Sequence, residues 1–193
     1  LENLQYYAAL FSVEEVIPAE RLLDMVGLGE EKNKRVGQYS KGMKQRLVFA
    51  RAIQHRPSLL FLDEPTAGLD PTMAAQIKEI ILAEKRRGAT IFLTTHNMFL
   101  ADEICDVVAF INEGRIVAQD SPRNLKLRYG EKAVKLEYRD DGEIVSELLF
   151  LEREQDRARL NQLISAGKVE TLHSQEATLE QIFIRLTGRG LSS

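Results

Sequence analysis

Residues 58–65 read Ser58-Leu59-Leu60-Phe61-Leu62-Asp63-Glu64-Pro65, a short unbroken apolar run closed by two carboxylates and a proline. A half-buried strand would show a polar residue at every second position. The unbroken run instead predicts a strand buried on both faces, as in a parallel sheet covered by helices. Pro65 ends it and predicts an extended Glu64, because the proline ring disfavours helical backbone in the residue before it. Downstream, Asp70-Pro71 offers an N-cap and an N1 proline for a helix that carries Ile77, Ile80 and Ile81 and closes at Arg86-Arg87-Gly88. A second apolar strand, Thr90 to Thr94, follows. Strand, helix and strand in this order predict a parallel βαβ unit. Asp63-Glu64 and His96 then fall just past the carboxyl ends of its strands, the edge where α/β sheets bind ligands.

Outward from this unit the pattern changes twice. Upstream it reads helical, with apolar Leu4, Tyr7, Ala8 and Phe11, then Leu22, Leu23, Met25 and Val26 stopped by Gly27 and Gly29. Downstream, Val107 to Ile111 predicts a third strand, turned at Asn112-Glu113-Gly114 into a hairpin with Ile116 to Ala118. After Pro122 come two alternating segments, Ala133 to Tyr138 and Ile144 to Leu151, around the turn Asp140-Asp141-Gly142. Helix Glu154 to Ser165, strand Lys168 to His173 and helix Thr178 to Leu186 complete a ββαβα appendage. At roughly 60 residues its own core is marginal unless it docks on something. The expected organisation is a domain of residues 1–128, comprising a helical subdomain (residues 1–55) and a strand-bearing region (residues 56–128), followed by an accessory α+β domain 129–193, with the boundary between 128 and 131.

Composition narrows the function. Lys+Arg 26 against Asp+Glu 29 leaves a formal charge of −3, without the basic excess of a dedicated nucleic-acid binder, so no nucleic-acid partner is expected. At 193 residues, 44% hydrophobic and 28% charged, the chain has the composition of a globular protein. The single cysteine, Cys105, excludes an internal disulfide and a cysteine zinc site. Even the uncharged stretch Gly88 to Ala101 falls short of the roughly 18 apolar residues of a membrane span. The expected location is cytoplasmic, and a membrane role requires a partner.

Three places in the sequence carry chemistry. Tyr39-Ser40-Lys41-Gly42-Met43-Lys44-Gln45-Arg46 precedes an amphipathic helix with Leu47, Ala50 and Ile53. Ser40 is a natural N-cap and Gly42 lets backbone approach a ligand, so N–H groups at this helix start can face an anion such as phosphate. An ordinary capped helix is the plain alternative. An aspartate at the end of a strand can serve Mg²⁺ through water, and a glutamate one residue on can polarise an attacking water. A simple acidic turn would look the same. His96 stands where a γ-phosphate sensor would have to be, although a lone histidine is more often structural.

Taken together and in order, Tyr39–Arg46, Leu59–Pro65, Ala67-Gly68-Leu69-Asp70 and Thr94-Thr95-His96 resemble the signature motif, Walker B, D-loop and switch histidine of the ATP-binding cassette (ABC) ATPases. The usual signature is Leu-Ser-Gly-Gly-Gln. Here Tyr39, Lys41 and Met43 depart from it while Ser40 and Gly42 match, a variant similar to those of the ABC-2 exporter branch. The tail Ala177 to Arg189 resembles that of the daunorubicin-resistance-type exporter ATPases. The resemblance implies a partial P-loop NTPase-type parallel sheet in an α/β fold, with a helical subdomain and the small appendage. By the same resemblance Asp63 would serve Mg²⁺, Glu64 the attacking water and His96 the γ-phosphate of ATP. Ser40 and Gly42 would cap a nucleotide held by an opposing subunit, and Asp70 would lie across the dimer interface. Implied partners are transmembrane permease subunits and a second ATPase subunit, identical or different, with the whole peripheral on the cytoplasmic membrane face. Rival readings are a non-transport ABC ATPase and a regulatory protein that lends only its signature face.

The family's P-loop, G-x-x-x-x-G-K-[ST], does not occur, and the one Gly-Lys pair, Gly167-Lys168, continues with Val169. A P-loop supplies about four or more charge-assisted hydrogen bonds of ~1.5–3 kcal/mol each, comparable with the ~8 kcal/mol of micromolar binding. The chain by itself is therefore expected not to hold ATP and to be inactive. It begins at Leu1, without an initiator methionine or signal-peptide pattern, and reads as a fragment of the ATPase. The reading frame is expected to continue about 80 to 100 residues upstream and to contain a P-loop. Sequencing the locus checks this, and a stop codon immediately before Leu1 would favour the regulator.

Overall fold

The computed structural model describes residues 1–10, 15–140 and 142–188. Phe11, Asp141 and Arg189, named above, lie outside these residues. The chain forms two compact units, one ending at His96 and the other starting at Asn97.

The first unit runs α1 (Glu2–Ala9), α2 (Ala19–Met25), a 3₁₀ turn (Val36–Gln38), α3 (Lys41–Ile53), β1 (Leu59–Asp63), α4 (Pro71–Arg86) and β2 (Thr90–Thr94). β1 and β2 pair in parallel from Leu59↔Thr90 to Asp63↔Thr94. The crossover is the expected helix: the Asp70 carboxylate accepts the Met73 N–H at 3.0 Å, Pro71 follows, and Gly88 at φ +100° lets the chain turn back. Buried Glu84 accepts two bonds from Arg87, at 2.9 and 2.7 Å, and Arg87 donates a third to the Pro57 carbonyl at 2.6 Å. That ion pair ties the end of α4 to the chain entering β1. α2 ends in a Schellman turn, with Leu28 N–H on the Leu23 carbonyl at 2.7 Å and Gly27 at φ +64°. Its outermost carbonyls are taken by side chains of neighbouring helices, Arg46 on Val26 and Gly27, and Gln76 on Met25, each at 2.9 Å. A side chain at Gly27 would meet Arg46 and Met73 at 3.0 and 3.2 Å, so this glycine is required twice over.

β1 is not buried on both faces as expected. Leu60 and Leu62 are buried, whereas Leu59 and Phe61 are 51% and 67% exposed, beside Phe92 at 60%. The physical reason is that, within the first unit, α3 packs on one side of this two-stranded sheet and no described residue of that unit covers the other. Glu64 also departs from its expected extended backbone: its φ is +44°.

The second unit contains α5 (Met98–Ile104), β3 (Val108–Asn112), β4 (Arg115–Asp120), α6 (Pro122–Tyr129), β5 (Ala133–Asp140), β6 (Glu143–Phe150), α7 (Glu154–Ser165), β7 (Val169–Gln175) and α8 (Leu179–Thr187). The hydrophobic periodicity of the sequence does not announce α5 and α6. Both carry start signals, Asn97 accepting from Leu100 N–H and Ser121, followed by Pro122, accepting from Asn124 N–H. β3 and β4 form the expected hairpin, turned by Glu113 and Gly114 at φ +50° and +73°, the pair of left-handed residues of a type I′ turn. β6, β5 and β7 form an antiparallel sheet in that order, with α7 on the face that buries Leu136, Tyr138 and Leu149 with Leu163. α8 begins with a Thr178–Gln181 capping box, and its Leu179 and Ile182 join Ala101, Val108, Phe110 and Leu125 in one core. Phe183 meets Phe110 edge to face at 5.6 Å between ring centres. The appendage thus lends its last helix to the core of residues 98–125, separate from the core of its own sheet. Among the described residues, no helix is long and apolar enough to cross a membrane.

Two outcomes are expected. Ile182→Ala should lower the stability of the second unit by about 2–5 kcal/mol, the cost of emptying a buried aliphatic site, read by urea unfolding. The bare apolar face of Leu59, Phe61 and Phe92 should make the 193-residue chain self-associate. Phe61→Ser with Phe92→Ser should reduce that association in sedimentation velocity, and a monodisperse unsubstituted monomer would refute it.

Candidate functional site

The ends of β1 and β2 bring together residues that are 31 and 32 positions apart in the chain. Because Asp63 pairs with Thr94, the Thr94 hydroxyl donates to the Asp63 carboxylate. One residue further on, the two chains stay joined through Glu64 N–H on the Thr94 carbonyl at 2.9 Å. The Glu64 carboxylate then collects three contacts from the end of β2: the Thr95 hydroxyl at 2.9 Å on Oε2, and His96 N–H and His96 Nδ1 each at 2.7 Å on Oε1. An ionised carboxylate offers about four lone-pair sites, so room remains for one further donor. Against a carboxylate, which can only accept, the near ring nitrogen of His96, Nδ1, is the donor.

A non-glycine residue at positive φ costs about 1–3 kcal/mol and persists only where its surroundings over-determine it. Glu64 meets that condition. Besides the bonds above, its carbonyl accepts from Gln45 Nε2 at 2.6 Å, so N–H, C=O and both carboxylate oxygens are all engaged. This is also why the proline rule failed here: hydrogen bonds from α3 and β2 outweigh the local preference set by Pro65.

Ser40 and Gly42 stand at the start of α3. Ser40 Oγ accepts the Met43 N–H at 3.2 Å, and Ser40 is exposed. A Cβ at Gly42 would meet the Leu69 side chain at 3.4 Å and the Gly68 carbonyl at 3.5 Å, so this turn lies directly against the loop that follows Glu64. Tyr39, just before, is buried with its hydroxyl on the Glu31 carbonyl at 2.9 Å. Burial, reinforced by the Glu31 charge, pushes its phenol above the ordinary tyrosine range. Asp70 caps α4 and is exposed.

The structure therefore joins Asp63, Glu64 and His96 into one cluster and sets Ser40, Gly42 and the 67–70 loop side by side. Gln45, Thr94 and Thr95 join the site without having stood out in the sequence as candidates. Gln45 had a signal in its place within the Ser40–Arg46 stretch, but its partner is a backbone carbonyl that no pattern reveals. As for a metal, no group of three or more His, Cys, Asp and Glu is placed to hold one among the described residues. Asp63 is a single exposed hard oxygen donor. That fits Mg²⁺ shared with phosphate oxygens and waters, and not an all-protein cage.

Residues 12–102, slightly under half of the chain, match the family described as "AAA domain, putative AbiEii toxin, Type IV TA system". Over 98% of its length the chain is 32% identical to the bacitracin transport ATP-binding protein BcrA of Bacillus licheniformis, covering 68% of that protein. This chain belongs to the ATP-binding subunits of ABC transporters. Over 99% of its length this ABC subunit chain is also 47% identical to the fluoroquinolones export ATP-binding protein Rv2688c of Mycobacterium tuberculosis, and it spans 64% of that protein. A solved structure titled an ATP binding subunit of an ABC transporter superposes with a TM-score of 0.59 at 29% identity, over 66% of this chain and 55% of that one. The expected α/β, P-loop NTPase-type fold is thus the observed one.

Ser40→Ala and Asp70→Ala each delete the acceptor that caps a helix. Each should lower stability by about 0.5–2 kcal/mol, measured by chemical denaturation. No loss in either variant would show that α3 and α4 are held by packing alone.

Proposed function

We propose that this chain is a portion of an ATP-binding and ATP-hydrolysing subunit that drives an ABC membrane transporter, an exporter as its fluoroquinolone relative is named. The observation that carries the reading is the Glu64 carboxylate, held by Thr95 and His96 at the carboxyl end of two parallel strands, one residue after Asp63. In this reading Glu64 uses its remaining lone pair to orient and polarise the attacking water. His96 keeps Nδ1 on Glu64, so Nε2, acting as an N–H donor, is the ring atom that would meet the γ-phosphate. Asp63, steadied by Thr94, would serve Mg²⁺ through water, and the ion would supply charge neutralisation on the phosphates. Ser40 and Gly42 offer N–H groups at the start of α3 to a nucleotide held by a second ATPase subunit, identical or different, and Asp70 faces that subunit. The protein chiefly positions groups and neutralises charge, which is what phosphoryl transfer asks of it.

The partners that follow are transmembrane permease subunits, with the ATPase peripheral on the cytoplasmic face of the membrane. Residues 1–128 would form the ATPase region and 129–193 an accessory domain that lends α8 to its neighbour. A second reading, a regulatory protein that lends only its signature face, draws on one observation: the sequence contains no G-x-x-x-x-G-K-[ST].

Two measurements decide. In the full-length ATPase, Glu64→Gln should slow hydrolysis by roughly 10²–10⁴-fold, the usual value of a lost acid–base group, with ATP binding retained. Unchanged steady-state turnover would mean that another carboxylate orients the water. The 193-residue chain alone should show no shift in melting temperature with Mg-ATP, since a ligand stabilises only a state it binds. A clear stabilisation would show that the residues present hold nucleotide without a P-loop.

A further inference from the structure

Gln45 is drawn into the site by an arrangement that the catalytic reading leaves unused. Its Nε2 donates to the Glu64 carbonyl at 2.6 Å, across 19 residues of sequence, and the contact is partly buried. Glu64 is the site residue with left-handed backbone, φ +44°, so the direction of its carboxylate depends on what fixes that peptide. Its N–H and carboxylate are fixed from the β2 side. Its carbonyl is fixed from α3 by Gln45 and also accepts the Ala67 N–H at 3.1 Å. Gln45 belongs to the same helix start as Ser40 and Gly42, and Gly42 lies against Gly68 and Leu69 of the loop that leaves Glu64. A shift of this helix start is therefore carried to Glu64 by a hydrogen bond and to the following loop by direct contact.

We propose that Gln45 is a positioning residue that couples occupancy of the α3 start to the carboxylate of Glu64 in the same chain. The proposal rests on the ATPase reading, in which the α3 start serves the opposing subunit's nucleotide and Glu64 serves the chain's own. Gln45 then links the two sites: a nucleotide seated at Ser40 and Gly42 sets the alignment of Glu64 for the other one. Misplacement of a reacting group by about 1 Å costs up to ~10²-fold in rate, so this link is strong enough to regulate turnover.

The test uses two substitutions. Gln45→Glu keeps the shape and replaces the donor with a carboxylate, whereas Gln45→Lys keeps an N–H donor of similar reach. In the 193-residue chain, Gln45→Glu should speed amide exchange in the peptide covering residues 64–70 by about tenfold or more, with residues 71–86 unchanged, and Gln45→Lys should not. In the full-length ATPase, Gln45→Glu should lower kcat by roughly 10–100-fold with KM for ATP within about threefold, and bring the Hill coefficient for ATP toward 1. Gln45→Lys should restore most of both. Unchanged kcat and exchange in Gln45→Glu would overturn the proposal, as would equal damage by both substitutions accompanied by an equal fall in melting temperature, which marks a packing role. Absence of ATP hydrolysis by the unsubstituted full-length protein would overturn the ATPase reading instead, and the exchange experiment on the 193-residue chain would then decide whether Gln45 governs Glu64.

Discussion

The parallel register Asp63↔Thr94 governs everything that the candidate site can do. Slipping the pair by one residue would turn alternate side chains to the opposite face, moving Leu60 and Leu62 out of the core and separating Asp63 from Thr94. Register in a parallel pair depends on the crossover. Here α4 is fixed at one end by Asp70 and Pro71 and at the other by Glu84 and Arg87, whose guanidinium reaches the Pro57 carbonyl. The site therefore inherits its geometry in part from a crossover helix that is fixed at both its ends.

Strain at Glu64 is the second consequence. Left-handed backbone at a glutamate is unfavourable, and it is maintained because three segments converge on one residue: α3 through Gln45, β2 through Thr94, and the 95–96 turn through Thr95 and His96. Each bond would contribute modestly alone. Together they direct the carboxylate, the pre-organisation that the proposed activation of water would require.

The second unit solves a different problem. A three-stranded sheet with one covering helix has little apolar area to bury, and α8 instead packs Leu179 and Ile182 in a second core with residues contributed by α5, β3, β4 and α6. Chain order and packing order differ here: the last helix belongs by sequence to the appendage and by contact to the residues before it.

Local rules in the sequence determined the elements that carry their own signals. Asp70-Pro71 and Gly88 bounded α4, Thr178 started α8, Glu113-Gly114 turned the hairpin, and the apolar runs ending at Asp63 and Thr94 gave two parallel strands with the acidic pair and His96 at their ends. The same rules, applied to Asn97 and to Ser121-Pro122, would have found α5 and α6. Tertiary structure alone decided what depends on residues distant in the chain. It put Gln45 on the Glu64 carbonyl, reversed the local preference that Pro65 imposes on Glu64, left Leu59, Phe61 and Phe92 bare, and sent α8 into another core. A local pattern reports the preference of one residue for one backbone state, worth on the order of 1 kcal/mol. Several hydrogen bonds or a buried apolar face contributed from elsewhere in the chain outweigh that preference, and no local pattern records them.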